Sequence, residues 1–228
     1  GRRVLGRYLR VRGSGEIIIE AAQANGLMHV LAGERDALRA DSFGVGELIV
    51  DAAREKPGRM VIGVGGSATT DGGSGTMRAM GARFLDVAGR ELPPGGGALG
   101  ALERIVWQRP GWAGDVEFVV ASDVTNPLCG PNGAARAYGP QKGASEAEVA
   151  QLEEGLFRYA VVVRRELGMD IAARPGAGAA GGLAGGLVAF LGARIASGFD
   201  LVAETTRLRE RLEGADIVVT GEGRFDEQ

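Results

Sequence analysis

The sequence holds one cysteine, one histidine and two lysines among 228 residues, and each scarcity removes a class of chemistry. Cys129 has no partner for an internal disulfide, and with His29 alone it cannot complete a Cys/His zinc site. This usage fits a reducing, cytoplasmic setting. No apolar run reaches the roughly 20 residues of a membrane span before Gly, Arg or Asp interrupts it, so no membrane partner is expected. Basic residues form no long run either. The 26 Lys and Arg are scattered among 29 Asp and Glu, for a net charge of -3, and nucleic acid is not an expected partner. There is no G-x-x-x-x-G-K-[ST] stretch and no HRD or DFG set, which sets aside the P-loop and protein-kinase schemes.

Glycine is abundant instead, with 40 residues gathered into GVGGSATTDGGSG (63 to 75), PPGGGALG (93 to 100) and PGAGAAGGLAGG (175 to 186). Clusters of this kind serve left-handed turns or close backbone approach rather than a flexible linker.

Strand and helix patterns alternate along the chain. EIIIEAA (16 to 22) reads as a strand entering a helix, and 45 to 56 as a helix stopped by Pro57-Gly58. Met60 to Val64 is a short buried strand, SGTMRAMGARFLD a helix followed by a strand, and 93 to 100 a loop. VEFVVAS (116 to 122) is a further strand. Residues 145 to 167 form a long helix, with Ser145 and Glu148 as a capping box and Gly168 as its stop. Gly181 to Phe199 reads as helical, 205 to 215 as a short charged helix, and 216 to 220 as a last strand. The alternation predicts α/β architecture.

Three of these strands end in polar turns: the first leads to Asp71, the next to Asp123 and Asn126, and the last to Glu222 and Asp226. Ligands collect outside the carboxyl ends of strands in open α/β sheets, so these acids are expected to converge on one pocket. Each taken alone reads first as a turn or helix-cap residue, and the recurrence on three strands is what points to function. Carboxylates beside Asn and hydroxyl groups suit Mg²⁺, and N–H groups freed by a Gly-rich turn suit phosphate. A competing pattern lies in the same place. GVGGSA (63 to 68) matches G-x-G-x-x-A with Asp86 downstream, the letters of an NAD(P)-dependent oxidoreductase, although Thr69 to Gly73 prolong the loop where that fingerprint opens directly into a helix.

The strings GVGGSATTDGGSGTMRAMGARF, SDVTNPLCGPNGAARAYGPQKGAS, PGAGAAGGLAGG and ADIVVTGEGRFDEQ, in this order, resemble the bacterial type I glycerate kinases. The resemblance spans nearly the whole chain. It implies transfer of the γ-phosphoryl group of ATP to D-glycerate, giving 2-phosphoglycerate, with ATP and Mg²⁺ as cofactors and a site between two α/β domains. Relatives of that family carry a PDSFKG-like motif before this region and a Thr-x-x-Gly-Lys-like stretch after it. Residues 1 to 228 are therefore expected to be mainly the inserted domain of the two-domain fold, with the first domain largely missing and 216 to 228 beginning the return into it. Such a piece is expected to be inactive alone, and a non-catalytic binding fragment stays open beside the kinase and the oxidoreductase. A homo-oligomer is left open too.

Within the motifs, Asp71, Asp123, Asp226 and Lys142 are the expected catalytic groups. Gly65, Gly66, Ser67, Thr69, Thr70, Asn126 and Arg224 are expected to bind substrate or phosphate, and Asp123, Glu222 and Asp226 to hold the metal. Asp71 stands first because two Gly pairs and three hydroxyls surround it. Arg224 is matched to the glycerate carboxylate by its planar fork, and Lys142 to the phosphate charge. Trp107 and Trp112 are read as anchors of a surface loop.

Overall fold

The computed structural model describes residues 2–219 and 221. The chain begins with β1 (Tyr8–Arg10), β2 (Ile17–Glu20), α1 (Ala22–Asn25) and α2 (Phe43–Ala53). Then come β3 (Arg59–Gly63), α3 (Ser74–Ala79), β4 (Arg83–Leu85), β5 (Arg104–Val106) and β6 (Glu117–Ala121). α4 (Ala134–Tyr138), α5 (Glu146–Leu167), α6 (Leu183–Leu191), β7 (Arg194–Ala196), α7 (Gly198–Thr205) and α8 (Leu208–Leu212) complete it.

The main sheet has the order β1-β2-β3-β6-β7. β1 runs antiparallel to β2, and the other pairings are parallel. A parallel strand covered on both faces must be apolar throughout rather than alternating, and the centres of β3 (Met60, Val61, Ile62) and β6 (Phe118, Val119, Val120) are all buried. β4 and β5 form a separate antiparallel pair.

α5 is built as its sequence dictates. The Ser145 hydroxyl accepts from the Glu148 N–H, and the Glu148 carboxylate accepts from the Ser145 N–H at 2.8 Å. Gly168, at φ 71°, ends the helix in the left-handed conformation. Leu152, Leu156, Tyr159 and Val163, spaced at three and four, form its buried face.

The glycine excess has a packing cause. A Cβ on Gly96 would lie 2.0 Å from the Thr70 carbonyl oxygen, and one on Gly181 (φ 66°) would lie 2.0 Å from that of Thr69. The Gly-rich loop after β3 is clamped between two backbones that only glycine lets come so near.

Several elements depart from the sequence expectation. The helix expected over 181 to 199 stops at Gly192, which has φ 70°. Arg194–Ala196 then pairs with β6, and α7 follows. A three-residue strand is too short to show a period of two. The loop expected at 93 to 100 carries a 3-10 turn, Gly96–Ala101, packed under α5. β1, β5 and α4 were not signalled. Asp216 to Val219 forms no strand, and Ile217 and Val219 are 82% and 91% exposed. A β-branched run becomes a strand only when a neighbour supplies its hydrogen bonds. Trp107 and Trp112 pack edge-on against Phe190 and Phe118, as anchors do. Among the described residues no helix is long and apolar enough to cross a membrane.

Candidate active site

β3 and β6 lie side by side, and their carboxyl ends open into a cleft of about 340 Å³. Its walls are Val64 to Ser67, Ala121 to Val124, Tyr138, Gln141, Lys142, Ala179 and Ala180. The turn at Gly65 and Gly66 is exposed, and neither N–H has an acceptor among the described residues. Beyond it the chain is fixed: Leu27 N–H donates to the Gly66 carbonyl at 2.8 Å, Ala68 N–H to that of Asn25 at 2.7 Å, and Asn25 Nδ2 to Thr69 Oγ1 at 3.1 Å.

Lys142 supplies the charge. It closes the 3-10 turn Pro140–Lys142, is 2% exposed, and donates from Nζ to the Thr69 carbonyl at 2.6 Å and to Ser67 Oγ at 3.1 Å. Nζ also sits 6.0 Å from the centroid of the Tyr138 ring. An ammonium has three N–H donors and two have partners among the described residues, so one remains for a ligand. Burial pulls the Lys142 pKa down to about 8, against an upward influence from Asp71.

That depression has a sign for stability. The unfolded chain has the ordinary lysine value of 10.5 and so holds the extra proton between about 8 and 10.5. Folding therefore becomes more favourable as pH climbs through that window. Denaturant unfolding at about pH 7.5 and about pH 10 should show the wild type gaining stability relative to Lys142→Met. Parallel pH dependences would mean a solvated amine.

The structure places the expected site residues unequally. Gly65, Gly66, Ser67, Asp123 and Lys142 line the cleft, and Thr69 contributes through its carbonyl. Asp123 is exposed; its Oδ1 accepts from Ser197 Oγ at 2.8 Å and from Phe199 N–H at 3.3 Å, while Oδ2 has no partner among the described residues. Thr70 is fully buried, away from the lining, with no partner for its hydroxyl among the described residues. Asn126 is also outside the lining. It accepts from the Tyr138 hydroxyl at 2.7 Å and donates to the Asn132 carbonyl, so it orients a wall residue. Glu222, Arg224 and Asp226 lie outside the described residues.

Asp71 is placed away from the cleft lining. It is 0% exposed and lies beneath the loop. Its Oδ2 accepts from the Ser42 N–H and hydroxyl, both at 2.9 Å, and from Gly75 N–H at 3.0 Å; its Oδ1 accepts from Gly73 N–H at 3.0 Å. Burial pushes the carboxyl upward, opposed by the bonds from Ser42, Gly75 and Gly73. The Ser42 hydroxyl accepts from Thr76 N–H at 3.0 Å, so its own hydrogen goes to Asp71. With four donors aimed at it, the ionised form is the one that fits. In this arrangement Oδ2 is filled by three donors, and the carboxylate is held beneath the loop rather than in the cleft.

Tyr138, Gln141, Ser122 and Ala180 are wall residues that sequence reasoning missed. Tyr138 and Gln141 flank Lys142 in AYGPQKG, which was a usable signal; Ala180 had none. Ala180 sits at φ 53°, ψ 41°, a left-handed conformation unfavourable for a residue with a Cβ. Ala180→Gly should raise unfolding free energy by about 0.5–1 kcal/mol in urea, and a loss would show that the methyl packs better than its backbone strains.

The dinucleotide pattern fails on geometry. Between GVGGSA and the helix that such a fingerprint needs stand five further loop residues, and α3 begins only at Ser74. Among the described residues no three His, Cys, Asp or Glu side chains cluster for a metal.

Comparisons with known proteins identify the family. A glycerate kinase of Halalkalibacterium halodurans is 45% identical over 212 residues, which is 92% of this chain and 56% of the relative. A glycerate 2-kinase of Escherichia coli is 46% identical over 211 residues, 92% of this chain and 55% of the relative. A crystal structure assigned to a glycerate kinase 2 of Salmonella typhimurium LT2 superposes with a TM-score of 0.86 at 38% identity, covering 98% of this chain and 64% of that one. The chain thus spans little more than half the length of these curated relatives. Residues 1–228 match the family model throughout, and the chain belongs to the glycerate kinase family.

Proposed function

We propose that this chain supplies one wall of a site that transfers the γ-phosphoryl group of ATP to D-glycerate, giving 2-phosphoglycerate. The observation that carries the reading is the buried Lys142 ammonium, in the same cleft as the N–H groups of Gly65 and Gly66, with one ammonium N–H and both backbone N–H groups unpaired among the described residues. Three donors and a positive charge at the carboxyl ends of two parallel strands suit an anion, with the Asp123 carboxylate in the same cleft. In the reaction an oxygen–phosphorus bond forms from the C2 hydroxyl of glycerate as the bond to the β-phosphate oxygen breaks, and the hydroxyl proton departs. Charge shifts onto the phosphoryl oxygens and the leaving oxygen, and fixed donors stabilise it without reorganising.

The free Oδ2 of Asp123 fits one ligand position of Mg²⁺, which commonly takes one or two carboxylates and fills the rest with phosphate and water. When bound, the ion would neutralise phosphate charge. Glu222 and Asp226 are proposed as its further ligands or as the group orienting the glycerate hydroxyl, and Arg224 as the partner of the glycerate carboxylate; these roles rest on the GEGRFDEQ motif alone. The Cys129 thiol, pushed up to about 12 chiefly by burial and then by Glu153, is a poor nucleophile and suits a bystander in a reducing cytoplasm.

Coupled ADP release with ATP, Mg²⁺ and D-glycerate tests the proposal on a protein of the relatives' full length, with residues 1–228 alone assayed beside it. Glycerate-dependent release by the longer protein and none by the shorter is expected if a second domain closes the site. Equal rates would make the described cleft sufficient, and no release from either would overturn the kinase reading.

A further inference from the structure

Lys142 lies on a turn between two helices, and a 2%-exposed amine reaches Ser67 and Thr69 only if that turn is held at the right depth. Within the turn, Lys142 N–H and Ala144 N–H donate to the Gly139 carbonyl, and Gly143 N–H donates to that of Pro140. The Gln141 carbonyl, one residue before Lys142, instead accepts from Arg35 Nη1 at 2.8 Å, across 106 positions of sequence.

The contact is close along its whole length. Gly143, at φ +94°, lies so near residue 35 that an added Cβ would be 2.7 Å from Arg35 Cβ and 2.9 Å from the Arg35 carbonyl oxygen. Arg35 is half-buried and its Nε has no partner among the described residues, so its place is not explained by an ion pair. It also stands on a stiff support. Asp36 Oδ1 accepts from the N–H groups of Leu38 and Arg39, and the Leu38 carbonyl accepts from Gly97 N–H at 2.9 Å.

We infer that Arg35 is a positioning residue of this site: through the Gln141 carbonyl it holds the Pro140–Lys142 turn where Lys142 Nζ reaches the Gly-rich loop. The link between this device and phosphoryl transfer rests on the function proposed above, whereas the placement of Lys142 by Arg35 stands without it. The charged and titratable groups facing the amine are Asp71, beneath the loop, and Tyr138, beside it. Neither is hydrogen-bonded to Arg35, so among the described residues the only direct link from Arg35 toward the amine is through the turn.

The test compares Arg35→Met, which keeps an apolar stem but no donor, with Arg35→Lys, which keeps the charge and a donor. Acylation of Lys142 is followed across pH by peptide mass spectrometry on the full chain, with melting temperature as the control. In the wild type the labelling midpoint is expected near 8. In Arg35→Met the loosened turn exposes the amine, and the midpoint should rise by about one unit or more toward that of a free lysine. Arg35→Lys should return most of that shift. An unmoved midpoint in folded Arg35→Met overturns the inference. If Arg35→Met does not fold, Gly143→Ala, which pushes the turn off Arg35, is read in the same way: a raised midpoint supports the inference and an unmoved one overturns it. A shifted midpoint with unaltered turnover in the intact enzyme would uphold the positioning role while removing Lys142 from the reaction.

Discussion

Lys142→Met in the intact enzyme is expected to lower kcat/KM by on the order of 10² to 10³, the range for losing one fixed donor to developing charge. Methionine matches the length of the lysine stem, so the walls of the cleft keep their spacing. What is lost is the ammonium that holds Ser67 Oγ and Thr69 O and is proposed to meet the anion. The fold should survive, because the same burial that pulls the amine pKa down to about 8 opposes keeping a charge there. The Thr69 carbonyl loses a donor, and Tyr138 loses the cation near its ring; these offset the relief, so melting temperature should move only a few degrees. Affinity for inorganic phosphate, measured by calorimetry, should fall alongside kcat/KM. It should also weaken in the wild type as pH rises above about 8 and the ammonium discharges. Normal turnover in a folded Lys142→Met protein would remove the ammonium from the chemistry and leave Lys142 as a brace of the loop.

How far the sequence led can be judged from particular residues. Long-period signals were legible: the Ser145–Glu148 capping box and the Gly168 stop placed α5 to within one residue, and apolar β-branched runs located β2, β3 and β6. Of the three-residue strands only β4 was legible, since β1, β5 and β7 are specified by their neighbours' hydrogen bonds rather than by their own letters. The meeting of two strand ends was also legible, because parallel topology places Gly65, Gly66 and Asp123 together, although the expected third strand is absent over 216–219 and Asp71 and Asn126 lie outside the lining. Hidden from sequence was the direction of each side chain. Gly65 and Asp71 are six positions apart in one loop, yet one is exposed at the cleft and the other is beneath it. A string such as SATTDGG announces a carboxylate among donors. It does not say whether those donors leave room for a ligand, and here Ser42, which was no part of the motif, closes the question with two bonds of its own.

Asp71→Asn should accordingly act on the fold before it acts on the chemistry. The carboxylate joins the starts of two helices: Ser42 precedes α2, Gly73 and Gly75 begin α3, and Thr76 answers by donating its hydroxyl to the Ser42 carbonyl at 2.9 Å. Negative charge at a helix N-terminus is favourable, and here one anion serves two. An asparagine that keeps its oxygen at the Oδ2 position retains the bonds from Ser42 and Gly75 but turns its NH₂ toward Gly73 N–H, donor against donor. The opposite flip leaves three donors facing the amide nitrogen. Either way the charge vanishes and at least one buried N–H loses its acceptor, a loss of about 3–5 kcal/mol. For a chain of this size that corresponds to a fall in melting temperature of on the order of 10 °C. Below that temperature the remaining folded enzyme should keep KM values for ATP and glycerate near those of the wild type, since the cleft walls other than the loop are untouched. Thermal unfolding and steady-state kinetics on the same preparation separate the possibilities. An unchanged melting temperature with a hundredfold lower kcat would place Asp71 against the reactants, and the carboxylate would then have to be reached by a movement of the Gly-rich loop away from Gly181.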